Sequence, residues 1–156
     1  FLQVAIPIDE ATTILDANEE EVDILINHSG TTIANNINLN VGSAKNLLAR
    51  AVNIPGNLIA TSASQKDGVI TLGGAGNIVV AGNLSAKESG KIDISGNFVS
   101  LGGTVDVSGA SAGSISIKSE GETSISAKLD ASSTNNEGGK INITSSSISF
   151  FIKSVS

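Results

Sequence analysis

Four segments in the second half of the chain share one form, a glycine followed by alternating residues: Gly68-Val-Ile-Thr-Leu72, Gly90-Lys-Ile-Asp-Ile94, Gly113-Ser-Ile-Ser-Ile117 and Gly139-Lys-Ile-Asn-Ile143. The anchor glycines Gly68, Gly90, Gly113 and Gly139 recur at intervals of 22, 23 and 26 residues. A repeat constrains a fold strongly, because every copy must find equivalent neighbours. The apolar alternation has period two, so each segment reads as a strand with one buried face. Ile70/Leu72, Ile92/Ile94, Ile115/Ile117 and Ile141/Ile143 then point the same way.

The remainder of each unit repeats as well. A second run follows: Ile78-Val-Val80, Phe98-Val-Ser-Leu101, Thr123-Ser-Ile-Ser126 and Ile148-Ser-Phe-Phe151. A third comes next: Leu84-Ser-Ala86, Val105-Asp-Val107 and Leu129-Asp-Ala131. Small polar loops lead back to the next glycine. Upstream, Gly56 to Ala60 fits the third run of an earlier unit, with Ile37 to Val41 and Leu47 to Ile54 supplying its first two. Three short strands per unit, without a helical period between them, match one coil of a three-sided β-solenoid. The fold class is therefore all-β, a parallel β-helix with about 20–26 residues per coil. A βαβ repeat needs a crossover of a dozen or more residues, usually a helix, and these loops are too short and too rich in Gly and Ser. An antiparallel sandwich also uses short, regularly spaced strands, but it gives no reason for equivalent strands to recur with equivalent neighbours.

Composition fits this reading. In 156 residues, apolar types reach 40% while aromatics are 3%, all Phe, and Cys, Met, Trp and Tyr are absent. A narrow interior, with coils ~4.8 Å apart, accepts stacked Ile, Val and Leu and has no room for Trp. Of the four Phe, Phe98 falls within a coil. Phe1, Phe150 and Phe151 sit near the ends, where a cap or neighbour could cover them. Gly and Asn permit the positive φ of sharp corners. Asn57, Asn77, Asn83 and Asn97 are corner candidates, and aligned Asn side chains could bond along the stack. Without Cys there is no zinc-thiolate site, disulfide framework or cysteine nucleophile. The net charge is −6 and Arg50 is the only arginine. Duplex binding needs a clustered basic face, so no nucleic-acid partner is expected. No apolar stretch approaches the ~20 residues that span a bilayer.

The first third is less regular. Val22 to Ile26 alternates and reads as a strand. Asp9 to Ala17 fits a short helix capped by Asp9 or, equally, a surface strand. Glu19-Glu20-Glu21 reads as a solvated turn. Residues 1–35 are taken as an irregular first coil, cap or extension, and 36–156 as β-helix repeats. With neither an initiator Met nor a signal peptide, the chain reads as a mature or excised piece. The apolar, β-prone run Ile148 to Val155 makes a sticky edge. Neighbouring coils of a longer chain, or end-to-end self-association, are the expected partners there.

Residues Phe98 to Ile117 and Ala127 to Ile143 carry a family resemblance. They are similar to units of the form apolar-Asp-Ala/Val-Ser…Gly-Gly-x-Ile-x-Ile, with Val105-Asp-Val-Ser108 and Leu129-Asp-Ala-Ser132 as the first part and Gly138-Gly-Lys-Ile-Asn-Ile143 as the second. Over roughly residues 56–145 the chain resembles filamentous-haemagglutinin-type exoproteins of two-partner secretion. The resemblance implies a right-handed parallel β-helix, export to the outer surface of a Gram-negative bacterium, and a role as adhesin, biofilm component or stalk. It also implies a surface glycan or host receptor as partner, and an outer-membrane transporter for the parent chain. The family's Asn-Pro-containing secretion motif is not visible, since neither Pro7 nor Pro55 follows Asn.

Chemistry is read against this background. The rival function is a β-helix polysaccharide lyase or hydrolase. Its best pair is Asp106 and Asp130, which occupy equivalent third-run positions and would stack outward one coil apart. Carboxylates that close serve as general acid and base or bind calcium. The plainer reading is an outward polar residue alternating with Val and Leu, because Ser85 holds the position one coil earlier and no Arg is near. Asp93 belongs to a first run instead. His28, the only histidine, reads as a turn residue in Asn27-His-Ser-Gly30. Gly73-Gly-Ala-Gly-Asn-Ile78 lacks the Asp of the calcium nonapeptide repeat. Asn27, Asn83 and Asn142 fit the N-glycosylation acceptor pattern, which also arises by chance in a chain so rich in Asn and Ser. No catalytic residue, metal ligand or cofactor is assigned, and a structural, non-enzymatic protein is expected.

Overall fold

The computed structural model describes residues 2–6, 17–18, 24–41, 50–61, 67–74 and 76–151. They form strands in repeating triples. The first coil holds β1 (Leu2–Ile6), β2 (Ile24–Asn27) and β3 (Thr31–Ala34), and the second β4 (Asn36–Val41), β5 (Arg50–Ile54) and β6 (Asn57–Ala60). Then come β7 (Val69–Gly74), β8 (Ile78–Val80) and β9 (Asn83–Ser85), followed by β10 (Lys91–Gly96), β11 (Val99–Leu101) and β12 (Thr104–Asp106). The series continues with β13 (Ser114–Ser119), β14 (Glu122–Ile125) and β15 (Lys128–Asp130), and ends on β16 (Lys140–Thr144) and β17 (Ser147–Phe150). Three parallel sheets result: β1-β4-β7-β10-β13-β16, β2-β5-β8-β11-β14-β17 and β3-β6-β9-β12-β15. The chain is an all-β, three-sided β-solenoid, and the antiparallel sandwich is excluded.

The expected rows stack in register. Ile70, Ile92, Ile115 and Ile141 are successive partners, as are Leu72, Ile94, Ile117 and Ile143. The upstream assignment also holds, with Ile37 opposite Ile70 and Leu39 opposite Leu72. Ile37 and Ile70 stand 33 residues apart, more than the expected 20–26 per coil. These rows up to Ile115 and Ile117, with Val52, Ile54, Leu58, Ile78, Val80, Leu84, Val99, Leu101 and Val105, form one buried aliphatic core, against which Ile143 packs partly buried. Burying one such side chain stabilises the fold by about 1.5–3 kcal/mol. The interior becomes polar near its end. Thr123 takes the inward place that Val99 holds one coil earlier. Its hydroxyl is satisfied by Ser119 Oγ at 2.9 Å, which also meets Ser145 Oγ at 2.8 Å.

Of two corner expectations, one is corrected and one holds. Among the described residues, positive φ outside glycine occurs only at Asp67, Glu88 and Ser89. These lie in the loops leading back to the first sheet, so the Asn corner candidates do not use left-handed backbone. The expected bonding along the stack does occur at Asn57 and Asn83: Asn83 Nδ2 donates to Asn57 Oδ1 at 2.9 Å, and Asn57 Nδ2 to Thr31 Oγ1 at 3.3 Å. The anchor glycines are required by close approach. A Cβ on Gly113 would stand 1.9 Å from the Gly90 carbonyl oxygen, and one on Gly139 2.1 Å from that of Gly113. Elsewhere, Gly56, Gly82 and Gly103 stack in the same crowded manner, and Ala127 takes their place one coil later.

In the first third, β1, β2 and β3 pair in register with β4, β5 and β6. The expected strand appears as β2. The segment 9–16 and the Glu19-Glu20-Glu21 run lie outside the described residues, as does 152–155 of the C-terminal run.

Candidate functional site

Asp106 and Asp130 are direct partners in the third sheet, stacked one coil apart with Ser85 before them. Both point outward because Val105 and Leu129 take the alternate inward positions. Each carboxylate is held in the same way. Ser108 donates to Asp106 Oδ1 through its backbone N–H at 2.9 Å and its hydroxyl at 2.6 Å. Ser132 does so to Asp130 Oδ1 at 3.0 and 2.7 Å. An Asp two residues before a Ser forms such a local turn because its short side chain reaches the backbone of residue i+2. The second oxygens are taken by ammonium groups, Lys87 Nζ on Asp106 at 3.0 Å and Lys128 Nζ on Asp130 at 2.8 Å.

These contacts set the protonation states. Partial burial pushes the Asp106 carboxyl upward, but the Ser108 hydroxyl and amide, then Lys87, outweigh it and bring the pKa below the usual value. The Lys128 ammonium, followed by the Ser132 hydroxyl and amide, holds Asp130 well below the carboxylate range. The hydrogen bond to Asp130 raises Lys128 in return. A general acid needs a pKa near the working pH, and both shifts run the other way. The pair therefore acts as an alternating ladder of charge, with both carboxylates ionised and engaged.

Both folded-state values are depressed, so the stabilisation is complete above the usual 3.8 and is lost as pH falls through the folded-state values. The raised Lys128 contributes below its usual 10.5 and is lost above it. The unfolding temperature should thus hold from neutrality to about pH 4 and fall in more acid solution. The Asp106→Asn/Asp130→Asn double variant should lose part of that acid dependence. Wild-type and variant curves that run parallel below pH 4 would show that the ladder does not stabilise the fold.

Sequence reasoning placed the two aspartates and missed their partners. Lys128-Leu-Asp130 and Lys91-Ile-Asp93 were legible in principle, since residues two apart share a strand face. Lys91 Nζ indeed meets Asp93 Oδ2 at 2.9 Å. Lys87 comes from the preceding coil and left no local signal.

The other candidates stand apart from this pair. His28 Nε2 lies 3.3 Å from the Asn57 carbonyl oxygen, so its partner is backbone rather than a nucleophile or a carboxylate. Asn27 accepts from Asn53 Nδ2 at 2.8 Å, and Asn83 is held in the ladder with Asn57. Asn142 is exposed on β16 opposite Ser116. Gly68, Gly90, Gly113 and Gly139 each precede a strand of the first sheet and carry no chemistry. No group of three or more His, Asp or Glu among the described residues could hold a metal ion.

Other surfaces are open, among them a groove of about 380 Å³ lined by Ile59, Ala60, Thr61, Ser85, Lys87 and Glu88. At the end of the stack, Ile141, Ile148, Phe150 and Phe151 are exposed. Ile141, Ile148 and Phe150 occupy the inward rows of Ile115, Thr123 and Ile125. On the second sheet, Asn77, Val79, Phe98, Ser100, Glu122 and Ser124 line a shallow groove of about 150 Å³. No protein-family model matches the chain, and neither does any curated protein or solved structure.

Proposed function

We propose that the chain is a structural and adhesive β-solenoid segment of a secreted bacterial surface protein of the filamentous-haemagglutinin type, serving as stalk, filament unit or adhesive surface. The observation that carries the structural part is the open end. β16 and β17 each have one unpaired edge in sheets of six parallel strands. Inward-row residues that would be covered by a further coil, Ile141, Ile148 and Phe150, face solvent there. Unpaired strand edges with apolar side chains are templates for further pairing. A neighbouring coil, from the parent chain or a second copy, satisfies the backbone and the side chains together. The adhesive part draws on the Ser-, Thr- and Asn-rich exterior, which offers hydrogen bonds to glycans or a host surface. Export by an outer-membrane transporter belongs to the same reading of the parent chain. The polysaccharide-cleaving alternative has no observation in its favour, because its best carboxylates are each tied to a Lys and a Ser.

Sedimentation velocity over a range of concentrations tests the structural part. Association should rise with concentration and be lost in Ile148→Asp/Phe150→Asp. A chain that stays monomeric throughout, or a variant that associates as well as wild type, would defeat it. Adherence of chain-coated beads to a mucin layer tests the adhesive part, and beads that do not adhere would end it.

A further inference from the structure

The lateral wall carries one feature that stacking leaves unexplained. Among the described residues, Phe98 is the only aromatic side chain away from the last strand and its neighbour Phe151. It is 47% exposed although the core is aliphatic; the other exposed large apolar side chains among the described residues are Ile33 in β3 and Ile141, Ile148, Phe150 and Phe151 at the end of the stack. Its ring is positioned rather than loose. A Cβ on Gly121 would stand 2.8 Å from ring atom Cε1 and 3.0 Å from Cζ, so the ring lies directly over Gly121 and would have to shift for a larger residue.

The parallel register builds a flat array around it. Ser100 and Ser124 are direct partners on the outward face, and Phe98 and Glu122, each two residues before them, line the same groove. Val79 is the partner of Ser100 on the other flank, with Asn77 two residues before it. Neither the Ser100 nor the Ser124 hydroxyl has a hydrogen-bond partner among the described residues, in contrast to Ser108, Ser119, Ser132 and Ser145. Glu122 accepts from Ser149 Oγ through Oε1 at 2.6 Å, and among the described residues its other oxygen meets no hydrogen-bond donor or cation.

We propose that this face of β8, β11 and β14 is a subsite for one pyranose ring of a neutral glycan, a proposal that rests on the adhesive reading above. An aromatic ring offers a negative face to the polarised C–H groups of a pyranose. The two serine hydroxyls and the free carboxylate oxygen supply donors and acceptors at the rim. Sites for small ligands combine an apolar floor with a few placed polar groups in this way. No Lys or Arg lines the groove, so an acidic sugar would meet Glu122 without compensation. A shallow groove taking one ring implies weak binding, on the order of 1 mM, which repetition on a surface raises by avidity.

The test is a titration of the 15N-labelled chain, followed by amide NMR shifts. The neutral probes are the methyl pyranosides of glucose, galactose and mannose together with N-acetylglucosamine, and sialyllactose is the acidic comparator. At least one neutral probe should shift the amides of residues 98–101 and 122–125 in a saturable manner. Phe98→Ala should weaken that binding at least tenfold with an unchanged unfolding temperature. Phe98→Tyr should preserve it, and Ser100→Ala/Ser124→Ala should weaken it severalfold. The proposal is overturned if no neutral probe saturates, if sialyllactose alone binds, or if Phe98→Ala and the double serine variant bind as wild type does. Beads that adhere to mucin equally with and without Phe98 would overturn the subsite and leave the adhesive reading standing. Non-adherent wild-type beads beside a saturable titration would do the reverse.

Discussion

Gly113→Ala should destabilise the solenoid by at least about 3 kcal/mol, a large effect for a single methyl group. Gly113 begins the step into β13, where its own N–H bonds the Val107 carbonyl at 2.8 Å and its carbonyl accepts from Lys140 N–H. The Gly90 carbonyl oxygen beneath it accepts from the Ser114 N–H at 3.0 Å. An added Cβ would lie 1.9 Å from that oxygen, with Gly90 C at 2.8 Å and N at 2.9 Å. All three obstructing atoms are backbone, so no side chain can swing aside and the coils must separate. Separation breaks ladder bonds on two sheets at once. The neighbouring control is Gly138→Ala. There the nearest atom, the Ala131 carbonyl oxygen, is 3.5 Å away, and a change within about 0.5 kcal/mol is expected. Urea unfolding of the two variants checks the contrast. Equal stabilities would show that the anchor glycines answer to something other than close approach.

Ile92→Ala should cost about 3–4 kcal/mol, whereas Ile141→Ala should cost about 1 kcal/mol or less. Both hold the same place in the repeat and lie in one stacked row. Ile92 is fully buried between Ile70 and Ile115, while Ile141 is 41% exposed on the last strand of the sheet. The cost of truncation includes the cavity left behind. A cavity between two coils cannot collapse without shifting both, whereas one at an open edge fills with water. In a stacked repeat, interface terms between neighbours carry much of the stability. Ile92 serves two such interfaces and Ile141 one. Denaturant midpoints of the two variants decide the matter, and equal losses would mean that the end is covered in solution. That result would favour self-association at β16 and β17.

Several features were legible because a strand repeats every two residues and a coil places like on like. Ile70, Ile92, Ile115 and Ile141 could be aligned by eye, and the same logic placed Asp106 above Asp130. The inward Thr123 was harder to interpret. Its position follows from the pattern, but its satisfaction by the Ser119 hydroxyl depends on how the chain turns between β13 and β14, which sequence spacing does not describe. Phe98 was counted within a coil, yet it sits at a corner and faces outward. Alternation sorts strand residues into two faces and says nothing about the residue just before a strand. The side-chain rungs of Asn57 and Asn83 were legible as well, whereas the left-handed backbone expected of the corner asparagines is not used.

By itself, then, the sequence determined the three-sided parallel stack, its inward rows and the solvent face that bears the two aspartates. Those properties follow from period and from the repulsion of apolar groups by water, both of which are local or strictly repeating. The tertiary structure alone decided which atoms meet between coils. Lys87 reaches Asp106, the Gly90 carbonyl excludes a side chain at Gly113, and Gly121 opens the place where the Phe98 ring lies. Each of these depends on the register between coils and on ångström-scale backbone approach. Loop lengths and corner geometry set both, and no alternation of residue types records them.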